Sequence, residues 1–310
     1  MNLEQLRAFV TVAQLGNFTR AAEQLHLAQP SLSRQIGTLE QDLGAELFHR
    51  ARAGSTLTSA GESLLPLARR MLADAESVRR ELDALAGLRR GRVRLGATPT
   101  LCISLVAEVL GAFHAAHAGV ELHITERGSR GLLDALAGGE LDLALVTTSG
   151  GASTERFTVT PLLLEELVVI SSSDAPPLTS RDSITLREVA ELPQVAFSAT
   201  YDLRSTTDAA FEAAGLSPRA VIEGAEMDAV LRFVERGIGV AIVPAMVMIE
   251  RKGLRAVRLS EPTLTRTISI ARVTDIAPTP AVEVMQQTIV RTAAALAARP
   301  EATTRLADAA

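Results

Sequence analysis

Between Leu64 and Leu85, apolar residues stand at Leu64, Ala68, Met71, Ala75, Val78, Leu82 and Leu85, in alternating steps of four and three. That spacing holds one narrow stripe along an α-helix, the pattern of a helix that pairs with another. Ser59 with Glu62 makes a capping box at its start, Pro66 predicts a kink, and the pattern runs to about Leu88. At ~1.5 Å per residue the helix is roughly 45 Å long. An ordinary core-facing helix within one subunit is the alternative, but the length and the narrow seam favour a partner chain. Such a rod divides the sequence into residues 1–58 ahead of it and residues 91–310 behind a linker that closes at Gly87-Leu88-Arg89-Arg90-Gly91.

The segment ahead reads as three short helices and a hairpin. Leu3, Leu6, Val10 and Ala13 recur at helical spacing until Gly16, and Asn17 or Thr19 can cap a second helix around Ala21, Ala22 and Leu25. A third helix starts near Pro30, buries a stripe of Leu32, Ile36, Leu39 and Leu43, and stops at Gly44. Its other face carries Ser33, Arg34, Thr38 and Gln41. Leu47 and Phe48 then plug the core, and a basic, glycine-containing turn reads as a β-hairpin wing.

Behind the rod, short β-like runs alternate with helical ones, which predicts an α/β region. Strands are expected from Arg92, Val120, Leu141, Glu166, Gln194, Arg219 and Ile238. The segments near 148–166 and 260–268 lack helical periodicity and read as crossovers between two sub-domains. TISIARV and the helix after Pro280 return to the first of them. Residues 300–310 read as a frayed tail. The expected domains are 1–58 (winged helix-turn-helix), 59–90 (linker and pairing helix) and 91–300 (two-subdomain α/β region). Within the last, sub-domain I covers about 91–163 and 266–300, and sub-domain II about 164–265.

Composition narrows the function classes. With 47% hydrophobic and 22% charged residues, disorder is excluded, and the longest apolar stretch, Ile238 to Ile249, is too short for a membrane span. The start MNLEQLRAFV lacks the features of a secretory signal, so a cytoplasmic chain is expected. The single cysteine, Cys102, closes no disulfide within the chain, and no metal-ligand cluster or cofactor motif is visible. Charge is uneven: residues 1–94 carry a net +3 and the remainder −8. The two ends therefore meet different partners, and the basic end suits DNA.

The combination of polar third helix, basic hairpin and long pairing helix has a specific counterpart. From Leu3 to Gly61 the chain carries FxxVAxxGxFTxAAxxLxxxQPSxSRQIxxLExxLGxxLFxR and a closing LTxAG, and in this it resembles the LysR-type transcriptional regulators. More loosely, ELDLALV from Glu140 and the stretch from Met227 through GIGVAIVP look like that family's effector-domain signatures. The resemblance implies a winged helix-turn-helix, a long dimerisation helix, and a two-subdomain effector domain similar to periplasmic binding proteins. It implies a homodimer, assembling further to a homotetramer, that reads an imperfect palindrome of double-stranded DNA and changes RNA polymerase access when a small molecule binds. Operator contacts would come from Gln29, Pro30, Ser31, Ser33, Arg34 and Thr38, and wing contacts from Arg50 and Arg52. Arg can read guanine, Gln adenine, and Ser either base or phosphate. Pro30 and Ser31 have a second reading, as helix starters only. Gly54, Ser55 and Thr56 depart from the further basic residues common in the family's wings.

Candidate ligand residues are those at strand ends and helix starts: Thr98, Pro99, Thr100, Ser129, Thr147, Ser198 and Thr200. Hydroxyls and free backbone N–H groups at Thr98-Pro99-Thr100 and at Ser129 suit a small anion. Each of these residues also has a reading as a simple cap, and Arg127 and Arg204 read as ligand partners or as surface arginines. A thiol-based redox sensor at Cys102 is an alternative, opposed by the lack of a resolving cysteine. An enzyme and a solute-binding transport protein are the rival classes. The first lacks nucleophile-elbow, dinucleotide and P-loop motifs; the second fits neither the N-terminus nor the absent signal.

Overall fold

A computed structural model describes residues 1–51, 54–84, 91–148, 156–199, 201–249, 251–298 and 304–306. The chain forms two compact units, one comprising Met1–Gly87 with Asp134–Leu141 and the other Leu88–Leu133 with Asp142–Ala310.

The first unit opens with α1 (Leu3–Leu15), α2 (Phe18–Gln24) and α3 (Gln29–Leu43). Asn2 and Gln5 form a capping box on α1, and the Asn17 side chain accepts from Thr19 and Arg20 to start α2. Pro at the start of α3 needs no N–H partner, and Gly44 ends that helix at a φ of 68°. Leu6, Phe9, Val12, Leu32, Ile36 and Leu39 fill the core. Leu43, expected in the buried stripe of α3, is instead exposed at the helix end, as is Leu3 at the start of α1. The wing is an antiparallel pair, β1 (Phe48–Ala51) and β2 (Gly54–Leu57), with Phe48 seated between Phe9 and Phe18.

Helix α4 (Ser59–Ala84) runs through Pro66 without interruption. Its cap is Thr58, one residue earlier than the expected Ser59: the Thr58 hydroxyl accepts from the Gly61 amide at 3.1 Å and donates to the Glu46 carbonyl at 2.7 Å. Gly61 is required there, because a Cβ at that position would stand 2.3 Å from the Leu47 carbonyl oxygen.

The second unit begins with β3 (Gly91–Ala97), followed by α5 (Pro99–Leu101), a π-helical turn at Cys102–Val106, and α6 (Ala107–Ala116). By length and composition Pro99–Ala116 could span a membrane, but Leu101, Leu105, Val109 and Phe113 are buried in a core with Met285 and Ile289. The chain continues through β4 (Val120–Glu126), α7 (Ser129–Ala137), β5 (Leu143–Thr148) and β6 (Phe157–Ser172). Then come β7 (Ser183–Thr185), α8 (Leu186–Ala190), β8 (Pro193–Phe197), α9 (Asp202–Ala213), β9 (Arg219–Ala225), α10 (Met227–Glu235) and β10 (Ala241–Pro244). It closes with β11 (Leu254–Ser260), β12 (Thr265–Val273), α11 (Pro280–Ala297) and β13 (Thr304–Leu306).

The main sheet is ordered β4-β3-β5-β12-β6-β11-β7, with β10 and β13 also on β6. The long β6 joins two halves. Phe157–Glu166 pairs with β12, and Leu167–Ser172 pairs with β10 and β11. Each half has its own apolar core, the second built on β6, α10 and β10. In α10, Met227, Val230, Leu231 and Val234 recur every three or four residues and all are buried. Two expectations meet the structure here. Residues 157–166, read as a non-helical crossover between sub-domains, are the first part of the strand β6, which runs from one half to the other. Part of the expected tail, Thr304–Leu306, is a strand antiparallel to Leu163–Glu165, because those residues still offer ladder groups on one side.

Candidate nucleic-acid interface and ligand cleft

Helix α3 exposes one continuous polar row. Gln29, Pro30, Ser31, Arg34 and Thr38 are exposed and Ser33 is half-buried. The Gln29 amide donates to Ser33 Oγ at 3.0 Å, and Thr38 Oγ1 donates to the Arg34 carbonyl at 2.9 Å. With its apolar stripe locked against α1, the helix holds this row rigid. Much of the surrounding motif is scaffold. Glu40 accepts from the Leu47 amide at 2.9 Å and so fixes the wing to α3. The Ser55 amide donates to the Gly16 carbonyl at 2.8 Å, which fixes the other strand of the wing to the turn after α1. A side chain at Gly54 would place its Cβ 2.9 Å from that carbonyl oxygen, so the non-basic stretch of the wing is set by close backbone approach. The wing-tip residue Arg52 lies outside the described residues, as does the side chain of Arg50.

On α4 the expected stripe divides between its residues. Ala68 is buried and Leu64 packs against the winged core, so both serve their own subunit. The exposed apolar residues are Leu67 (54%), Met71 (41%) and Val78 (58%), again in heptad relation, with Ala75 half-buried beside them. Leu85 and the side chain of Leu82 lie outside the described residues.

The second unit contains a cleft of about 260 Å³ lined by residues from both halves of the sheet, among them Thr98, Thr100, Glu126, Thr147, Tyr201 and Arg266. Thr98, Pro99, Thr100 and Thr147, four of the expected ligand residues, line it. Ser129 is placed next to Gly128 in the wall but is already occupied: its amide donates to Asp202 Oδ2 at 2.9 Å, and its Oγ is bound by the Thr147 amide and hydroxyl at 3.0 and 3.1 Å. An internal carboxylate thus sits at the start of α7, where a ligand anion was expected. Ser198 is not among the lining residues, and Thr200 lies outside the described residues. Arg127 lines the cleft, whereas Arg204 is held by Asp208, Glu223 and the Phe197 carbonyl.

The lining includes Arg266, which with its fully buried partner Glu165 was missed by sequence reading. Glu165 on β6 and Arg266 on β12 are directly opposed across the ladder, with exposures of 0% and 8%. Arg266 Nε donates to Glu165 Oε2 at 2.8 Å, Nη1 donates to Thr100 Oγ1 at 2.8 Å, and the Met246 amide donates to Glu165 Oε1 at 2.7 Å. Nη2 stands 2.8 Å from the same Oε2, a charge contact, yet it has no hydrogen bond of its own. The signal that could have found the pair is a carboxylate inside the apolar run LLLEELVVI.

Cys102 is half-buried near the cleft, its Sγ 3.9 Å from the Ala97 carbonyl. Burial first, then the charge and hydrogen bond of Glu126, push its thiol up to about 12. Burial and the carboxylates of Glu226 and Glu126 likewise raise the Tyr201 phenol above its ordinary range.

Two family models match the chain: "Bacterial regulatory helix-turn-helix protein, lysR family" over residues 3–62 and "LysR substrate binding domain" over residues 86–294. Among curated relatives, the "Uncharacterized HTH-type transcriptional regulator YybE" of Bacillus subtilis is 32% identical over 290 residues, covering 94% of this chain and 98% of that protein. A "Probable nitrogen assimilation transcriptional activator" of Synechocystis is 34% identical, covering 68% of each. Among solved structures, a full-length OxyR variant from Pseudomonas aeruginosa matches with a TM-score of 0.71 at 25% identity, covering 95% of each chain.

Proposed function

The chain belongs to the LysR family of transcriptional regulators, and from that premise we propose that it is a sequence-specific DNA-binding protein of the cytoplasm whose second unit receives a small effector in the cleft floored by Arg266. The observation that carries the reading is the rigid exposed row Gln29, Pro30, Ser31, Ser33, Arg34 and Thr38 on α3, the residue types that read base edges and phosphates in a major groove. Arg50 and Arg52 of the wing add backbone or minor-groove contacts.

The exposed stripe Leu67, Met71 and Val78 pairs α4 with its counterpart in a second subunit, and effector units extend the dimer to a tetramer. Two DNA-binding units related by a two-fold axis then read an imperfect palindrome with half-sites a helical turn or more apart. In the cleft, Arg266, Thr98 and Thr100 receive the anionic end of the effector. An effector that binds two arrangements of the assembly unequally shifts their populations, and with them DNA bending and polymerase access.

Solved neighbours include OxyR proteins, one of them from Corynebacterium glutamicum with H2O2 bound. That keeps a thiol-based reading at Cys102 as the second candidate. It is the weaker one, because the chain has no other cysteine and burial holds this thiol protonated. Fluorescence anisotropy of a labelled duplex from the gene's own upstream region tests the main reading. Affinity that falls steeply with salt and weakens in Arg34→Ala supports it; absence of binding at low salt contradicts it.

A further inference from the structure

The cleft lining carries charge of both signs. The Arg266 guanidinium is 8% exposed and its Nη2 has no hydrogen bond, with the Thr98 and Thr100 hydroxyls beside it. The lining also carries the carboxylates of Glu126, hydrogen-bonded to the Cys102 thiol, and Glu226; both act on the Tyr201 hydroxyl. The Tyr201 hydroxyl is buried and has no partner at hydrogen-bond geometry, the Met227 amide approaching it only loosely, and it feels the charges of Glu226, Glu126 and Arg266 together. Arg266 is already neutralised by Glu165, and Asp202 is held at the Ser129 amide. Apart from that neutral pair, the lining charges are Glu126, Asp202 and Glu226 against Arg127 alone.

A ligand carrying only negative charge would find donors at the floor and repulsion at the wall. One carrying only positive charge would leave the Arg266 Nη2 without a hydrogen bond. The volume, about 260 Å³, is below the roughly 300 Å³ at which pockets for drug-sized ligands begin. We infer that the effector is a small zwitterion of the α-amino acid class, its carboxylate on Arg266, Thr98 and Thr100 and its ammonium between Glu126 and Glu226. Tyr201 donates its phenolic proton to the carboxylate. The inference rests on the effector-cleft reading above and adds the ligand's second charge to it.

The test uses the full chain and three sets of probes: the free L-amino acids, their des-amino carboxylic acids, and their decarboxylated amines. Tyr201 is the sole tyrosine and the chain has no tryptophan, so intrinsic fluorescence reports on the cleft directly. At least one amino acid should give a saturable change, with its des-amino acid and its amine binding roughly ten- to hundredfold more weakly. Glu226→Gln and Glu126→Gln should both erode the preference for the amino acid over its des-amino acid, and Glu226→Gln, at an exposed side chain, should leave the unliganded melting temperature unchanged. A des-amino acid that binds as tightly as its amino acid overturns the zwitterion, as does a panel in which no amino acid saturates. If a simple carboxylate binds and Arg266→Lys weakens it, the cleft reading survives that failure. If binding of every probe is indifferent to Arg266, Glu126 and Glu226, both readings fail.

Discussion

Replacing Arg266 by methionine strips the cleft floor of its cation and leaves the Glu165 carboxylate, 0% exposed, with the Met246 amide as its remaining hydrogen-bond donor at 2.7 Å. Removing one member of a buried ion pair strands the other charge in a medium of low polarity, at a cost of about 3–5 kcal/mol. For a unit of this size that corresponds to a fall in melting temperature of roughly 6–20 °C. Replacing both members, Glu165→Leu with Arg266→Met, removes the stranded charge and should recover most of the loss. What remains is about 1–3 kcal/mol for the unpaired Met246 amide and Thr100 hydroxyl. The coupling in the double-mutant cycle should therefore be about 2 kcal/mol or more. The transition must be followed through Tyr201, which lies in the second unit, because a chain of two units need not unfold in one step. A single-variant loss below about 1 kcal/mol, or singles that add in the double, would refute the argument that the pair is buried and mutually dependent.

Other consequences follow from particular contacts. Alkylation of Cys102 by iodoacetamide at pH 8 should be at least about tenfold slower in the native chain than for an exposed thiol, because burial and Glu126 disfavour the thiolate; the rate should recover in urea, and equal rates would contradict the burial. Gly61→Ala forces a Cβ to within 2.3 Å of the Leu47 carbonyl oxygen, so the winged unit should lose about 1–3 kcal/mol and DNA affinity with it, as seen in a lowered melting temperature. Met71→Asp with Val78→Asp should turn dimers into monomers in sedimentation, whereas Ala68→Asp should unfold the winged unit first, since Ala68 is buried there. Dimers that survive the double aspartate variant would place the pairing surface elsewhere.

The winged unit was legible because its determinants are local. Asn17 caps the helix it begins, Gly44 ends α3, and the stripe Leu32, Ile36 and Leu39 lies within eight residues of chain. The heptad on α4 was legible as a period, but period alone does not say which side faces which neighbour. Leu64 and Ala68 turn inward to the winged core, while Met71 and Val78 of the same stripe are exposed together with Leu67. The cleft was legible at its strand ends, Thr98 to Thr100 and Thr147. It was opaque at its floor, because Glu165 and Arg266 are 101 residues apart and only the pairing of β6 with β12 brings them together. The occupation of Ser129 by Asp202 was hidden for the same reason, since their bond spans 73 residues. Long-range pairing also explains β6 and β13: neither the expected crossover nor the expected tail shows period-two alternation strong enough to announce a strand partnered from elsewhere.

The central claim, that the polar row on α3 reads operator DNA, is tested most directly by hydroxyl-radical footprinting of the full chain on its own upstream region, with wild type beside Arg34→Ala. The account predicts two protected patches separated by about 10–10.5 base pairs or a multiple of that, lost or weakened by about 1–3 kcal/mol in the variant. Unphased protection, or phased protection that Arg34→Ala leaves unchanged, would contradict it.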